Sequence, residues 1–205
     1  MQSLPFEAVL RRFLRHHTHD PADPTDFDDR AERHIRTARQ EFPGPWRRLL
    51  LEGPEVREVV LPWHLGEDGE RELVPATGLT VAEAAGRLTV LGASYERSNP
   101  LCAVKLARQR RAAHLPLFLS TRPVSGPDYD RLTTRQGLIH LDGLHRMLAW
   151  ATTGRLTRGR WFEEYVAGPP PHGARHAAGA RTSGPSLSSG PPLPSGPSPS
   201  RAESS

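Results

Sequence analysis

The chain has 205 residues, 36% of them hydrophobic and 24% charged, with 18 Gly, 21 Pro and a single Cys, so it cannot build a disulfide framework of its own. No apolar run approaches the roughly 20 residues of a membrane helix, and MQSLPFEAVLRRFLR at the start places arginines where a signal peptide has its apolar stretch, so a cytoplasmic protein with no membrane partner is expected. The net charge of +4 is spread unevenly: residues 1–40 are neutral, 41–96 carry −5 and 97–160 carry +9, a local field that favours an anionic ligand such as a phosphate.

Phe6, Val9, Leu10, Phe13 and Leu14 recur at helical spacing and predict an amphipathic helix beginning near Ser3 and Pro5. A second helix is expected from Asp29 to Phe42, with Ala31, Ile35, Ala38 and Phe42 on one face and Pro43-Gly44 ending it. The intervening residues 16–29, HHTHDPADPTDFDD, hold three His and five Asp; two prolines and the lack of an H-x-x-x-H pair favour a solvated acidic loop over a metal site. The run 56–63, VREVVLPW, reads as a strand, with Leu73-Val74 pairing onto it across a turn at 66–69. Thr80 and Glu83 have capping-box spacing and open a helix that stops at Gly92. Asn99-Pro100 starts another, running to about Ala113. LPLFLST, 115–121, and GLIHL, 137–141, are compact apolar strands; the second leads through Asp142-Gly143 into a helix from 144 to 153, closed by Gly154. WFEEYV, 161–166, is the last strand. Residues 169–205, with 9 Pro, 9 Ser and 5 Gly, have too little apolar surface to order and read as a disordered tail.

The stretch LIHLDGLHRMLAWATTGR, 138–155, carries the chemistry. A strand, a glycine turn and a helix N-terminus present backbone N–H groups and a positive dipole end, which suit a phosphate. His145 and Arg146 add charge-assisted donors, and Asp142 is placed to accept a proton or hold a cation. Lys105 is the chain's only lysine, a compact charge one and a half turns into its helix. Thr121 and Arg122 end the strand 115–121, where loops of an α/β site commonly bear ligand contacts. The lone thiol, Cys102, sits in an apolar helix segment and reads as a buried structural cysteine.

D-G-x-H-R between a strand and a helix resembles the signature of the ParB/sulfiredoxin superfamily, and SNPLCAVKLARQRRAAHLPLFLST supplies the preceding helix and strand in that superfamily's order. The likeness covers residues 95–155. It implies an α/β (α+β) fold with a small mixed sheet and flanking helices over residues 46–168, an N-terminal helical segment over 1–45 and the tail from 169. Sulfiredoxins carry a reactive Cys where this chain has Leu144, so their activity is not expected. Partition proteins carry a helix-turn-helix domain, for which too few residues follow Arg155. The free-serine kinases carry D-G-H-H-R, one position away from D-G-L-H-R. Residues 1–168 as a whole also resemble an actinobacterial family with no assigned function.

The kinase likeness implies a nucleotide-dependent phosphotransferase acting on a small hydroxyl-bearing metabolite such as an amino acid. ATP or ADP would be held by Asn99, Lys105, Thr121, Arg122, Gly143, Leu144 and Arg146. Mg2+ would sit on Asp142, and Glu96, Asp142 and His145 would serve the chemistry. The alternative is a non-catalytic nucleotide-binding or protein-interaction module; nucleic acid is not the expected partner, because no recognition module is visible.

Overall fold

The computed structural model describes residues 2–17, 29–65 and 71–169. In chain order it forms β1 (Gln2–Leu4), α1 (Phe6–His16), α2 (Asp29–Glu41), β2 (Trp46–Glu52), α3 (Gly53–Arg57), β3 (Val60–Leu61) and β4 (Leu79–Thr80), then α4 (Val81–Leu91), α5 (Ala93–Ser98), α6 (Pro100–Arg111), β5 (Leu117–Ser120), β6 (Ile139–Asp142), α7 (Leu144–Thr152) and β7 (Trp161–Ala167). The strands make one mixed sheet ordered β1-β2-β7-β5-β6-β3-β4. β3 runs parallel to β6 and β5 parallel to β7; the other neighbours are antiparallel. The fold is therefore of the mixed α/β class.

Strand alternation sorts the core into two layers. Leu117 and Leu119 point to one face with Leu49, Leu51, Phe162 and Val166, where α4, α6 and α7 cover them with Leu88, Leu106, Met147 and Trp150. Phe118 points the other way with Ile139, Leu141 and Tyr165, onto Val9 and Phe13 of α1 and Ile35 and Ala38 of α2. Helices thus lie on both faces of the sheet. The first helical segment is built into this body, because β1 pairs with β2 and both α1 and α2 cover one face.

Local signals account for most boundaries. The α2 stripe Ala31, Ile35, Ala38 and Phe42 is buried. α4 opens with the full reciprocal box: Glu83 N–H donates to Thr80 Oγ1 at 3.2 Å and Thr80 N–H to Glu83 Oε2 at 2.7 Å. α6 begins at Pro100, but the Asn99 side chain makes no cap. The expected strand over 56–63 is corrected: Val56 lies in α3, and only Val60–Leu61 is strand. A Glu52/Glu55 capping box with Pro at the start of the helix outweighs the β-propensity of the valines there. β1, β2, β4 and α5 have no counterpart among the expected elements, and the first helix starts at Phe6 because Ser3 lies in β1. The pairing of 73–74 with the segment before it appears as a single bridge, His64 to Val74. The turn at 66–69, most of the acidic loop (18–28) and the tail beyond Pro169 lie outside the described residues. No described helix is long and apolar enough to cross a membrane.

Candidate functional site

A cavity of about 280 Å³ opens at the C-terminal end of β6, lined from both helical layers. Its floor is the strand-turn-helix at 140–146. His140 and Asp142, two apart on β6, share one face of the strand. Gly143 then turns the chain at φ 113°, and a Cβ there would lie 2.5 Å from Leu117 Cδ2 and 3.4 Å from the Arg146 guanidinium. The left-handed backbone and the clash with Leu117 call for glycine at the turn that lets Arg146 meet Asp142, four residues earlier.

Asp142 is held between two cations. Arg146 pairs with its Oδ2, and His17 Nε2 lies 3.4 Å from its Oδ1. Burial alone would raise the Asp142 pKa, but Arg146 and His17 overcome it and hold the carboxyl well below the usual range. His17 continues the α1 stripe, with its ring stacked on Phe13 at 4.1 Å between centroids. Its Nδ1 faces the Phe13 carbonyl at 3.0 Å, so both ring nitrogens meet acceptors and the doubly protonated form is favoured. Burial opposes that charge, yet the Asp142 carboxylate wins and the His17 pKa is raised.

His140 is the opposite case. The Leu144 N–H donates to its Nε2 at 3.0 Å, which fixes the proton on Nδ1, and burial pushes its pKa down to about 3. That Nδ1–H finds no partner among the described residues. A second carboxylate, Asp128, meets His34 Nε2 at 3.2 Å and Arg30 Nε at 3.9 Å, both through Oδ2. Burial pulls its pKa up, and the hydrogen bond from His34 with the Arg30 charge brings it below the ordinary value. Lys105 and Arg108 of α6 also line the cavity, along with His16, His64 and His145. His64 and His145 converge with Cys102, one ligand atom from each lying within 4.8 Å of the others; among the described residues this is the one such group of His, Cys, Asp or Glu able to hold a metal ion.

Six of the expected site residues therefore meet at the cavity: Lys105, Asp142, Gly143, Leu144, His145 and Arg146. Arg146 is turned onto Asp142 and only 5% of its side chain is exposed, so it braces the turn. Both Asp142 oxygens face cationic side chains, Arg146 on Oδ2 and His17 on Oδ1. Four residues lie elsewhere. Glu96 is exposed and faces Arg110 at 3.7 Å. Asn99 is fully buried, donating to the Tyr95 carbonyl and accepting from the Arg71 N–H. Thr121 and Arg122 line a separate hollow, where Arg122 meets Glu41 at 3.3 Å and lies over the Phe42 ring.

Sequence reading missed His17, His34, His64 and Asp128. His17 had a signal, four residues beyond Phe13 on the apolar stripe. The others have none, since they reach the cavity only through the folded topology. No curated protein and no solved structure matches the chain. Residues 1–184 match a family described as a family of unknown function, DUF6309. With that match spanning nearly all of its length, the chain belongs to the DUF6309 family.

Proposed function

We propose that this chain is a phosphotransferase that takes the phosphate end of ATP or ADP into the cavity and passes a phosphoryl group to the hydroxyl of a small metabolite. The observation that carries this reading is the pairing, in one cavity, of two histidine-held carboxylates with Lys105 and Arg108. Shifted titrations of buried acids and bases clustered in a cleft mark sites of chemistry. At about 280 Å³ the cavity lies near the lower end of the roughly 300–1,000 Å³ typical of ligand pockets, room for phosphates and a small acceptor with the nucleoside outside.

The roles follow from placement. Lys105 and Arg108 neutralise the transferring group, and the start of α7 adds its positive dipole end. His17, charged by its contact with Asp142, adds a further positive group at the floor. Asp128 orients the acceptor hydroxyl, a role that passes to it because Glu96 is remote and Asp142 is engaged. The likeness of D-G-L-H-R to the kinase turn supports the same reading. A non-catalytic nucleotide-binding module would use the same cavity without turnover.

Calorimetry with ATP, ADP and inorganic phosphate, followed by 31P NMR of reactions with pooled amino acids and polyols, tests this. Lys105→Ala and Arg108→Ala should each weaken nucleotide binding by about 1.5–3 kcal/mol, the range for hydrogen bonds to charged groups. Arg158→Ala, outside the cavity, should not. Binding without a phosphorylated product moves the reading to the module. Absence of any phosphate-compound binding refutes both.

A further inference from the structure

His64, Cys102 and His145 are distant in sequence and come from three different elements. His64 lies on the bridge that follows β3, Cys102 in the first turn of α6 and His145 in the first turn of α7. We propose that they form a zinc centre in the cavity wall, with three protein ligands and a fourth position open to the cavity.

The chemistry of the set selects the metal. One thiol and two imidazoles make a soft nitrogen and sulfur site, which suits Zn2+ and disfavours the oxygen-seeking Mg2+ and Ca2+. Bond lengths of about 2.0–2.1 Å to nitrogen and 2.3 Å to sulfur place tetrahedral ligand atoms roughly 3.3–3.6 Å apart. His64 Nε2 already lies 3.4 Å from Cys102 Sγ. The widest separation in the trio is no more than 4.8 Å, so side-chain rotation has to close at most about 1.5 Å.

Burial sets the direction of the open position. Cys102 is wholly buried, whereas His64 and His145 line the cavity, so an ion among them has the protein behind its sulfur and the cavity before it. Three protein ligands and one exchangeable position is the arrangement of reactive zinc sites; structural ones are closed by four. Cys102 and His145 lie in the first turns of α6 and α7, where the positive helix ends favour the negative charge a thiolate brings. The open position takes water or one oxygen of an anionic ligand. The zinc centre goes beyond the phosphoryl-transfer reading and does not depend on it.

The test uses the full-length chain, stripped with a chelator and titrated in separate samples with Zn2+ and with Co2+. One equivalent of each should bind, and the Co2+ form should show a thiolate-to-cobalt charge-transfer band with the strong visible bands of four-coordinate cobalt. Because Cys102 is the only cysteine, that band assigns itself to Cys102 even if a cysteine variant fails to fold. It also separates this centre from zinc held adventitiously by the histidine-rich segment that begins at His16. Cys102→Ser should abolish the band. His64→Ala and His145→Ala should each lower Zn2+ affinity by more than the roughly 10–100-fold lost with an outer-shell partner. His34→Ala, in the same cavity but on Asp128, should keep one equivalent and the band. Failure to bind metal, a Co2+ complex lacking the thiolate band, or a band indifferent to both His64 and His145 overturns the proposal. Zinc without nucleotide binding leaves this centre standing and removes the phosphoryl reading; nucleotide binding without zinc does the reverse.

Discussion

Asp142→Asn keeps the shape of the cavity floor and removes one charge from between two cations. Asp142 is 8% exposed and Arg146 4%, so the amide leaves a guanidinium facing no counter-charge in a buried place. Breaking a buried ion pair costs about 3–5 kcal/mol, and the lower end applies because the Asn carbonyl still accepts from Arg146 and His17 can shed its proton. At about 3 kcal/mol, the melting temperature of a domain this size falls by roughly 6–12 °C. The loss depends on pH. Asp142 has a lowered pKa, so its contribution is present above the usual 3.8 and is lost as pH falls through its native value. His17 has a raised pKa, so its contribution is complete below 6.5 and is lost as pH rises through its native value. Wild type and variant should therefore differ most between about pH 4 and 6.5, as read by urea denaturation across that range. Proton NMR of the imidazoles supplies the independent readout: in Asp142→Asn the His17 pKa should fall from its raised value, since burial and Arg146 then oppose only the Phe13 carbonyl. A variant within about 0.5 kcal/mol of wild type near pH 5.5, or a His17 that still titrates high, would refute the arrangement.

Glu164, fully buried in β7, accepts the Leu51 N–H through Oε2 while Oε1 has no partner among the described residues. Burial, with Glu55 and Glu163 adding to it, raises its pKa well above 4.5, so stability falls as pH climbs from 4.5 through the native value. Glu164→Gln should gain on wild type by about 1.4 kcal/mol per pH unit over that interval and merge with it below; a pH-independent difference would count against the assignment. Gly143→Ala should cost about 2–5 kcal/mol in thermal denaturation, from the left-handed backbone plus the clash with Leu117. Measured in a Leu117→Ala background, Gly143→Ala should cost less by the steric share, and an undiminished cost there would place it in the backbone alone.

Where a local signal had no rival, the sequence was legible. Thr80 and Glu83, the apolar stripe of α2 and the Asp142-Gly143 turn are each decided within a few residues, and they stand where expected. Competition between local signals hid the rest. The valines after Val56 favour extended chain, but Glu52, Pro54 and Glu55 favour a helix start, and the helix wins at Val56. β2 reads WRRLLLE, with polar residues at Arg47 and Arg48 and an uninterrupted apolar run behind them, so alternation is masked. The candidate site was half legible. Residues 142–146 were found because they are contiguous, whereas His17, His34, His64, Cys102 and Asp128 acquire their neighbours only when α1, α2 and α6 pack around β6. Cys102 is as buried as a structural cysteine should be, and its position against His64 is invisible from either residue alone.

The sheet order has a consequence for how the molecule is made. β7, last of the described strands, lies between β2 and β5, pairing Arg47 with Val166 on one side and Leu119 with Val166 on the other. During synthesis, β1-β2 and β5-β6-β3-β4 are two half-sheets with no strand to join them until residue 167 leaves the ribosome. Each waits with an open edge, the kind of surface that captures other chains. The side chains of Arg47 and Arg48 put charge on the β2 half while it waits, and Arg48 meets Glu163 at 2.8 Å once β7 arrives. Every residue lining the cavity at the end of β6 precedes β7 in the chain, so a chain stalled before that strand carries the whole site on an unfinished sheet.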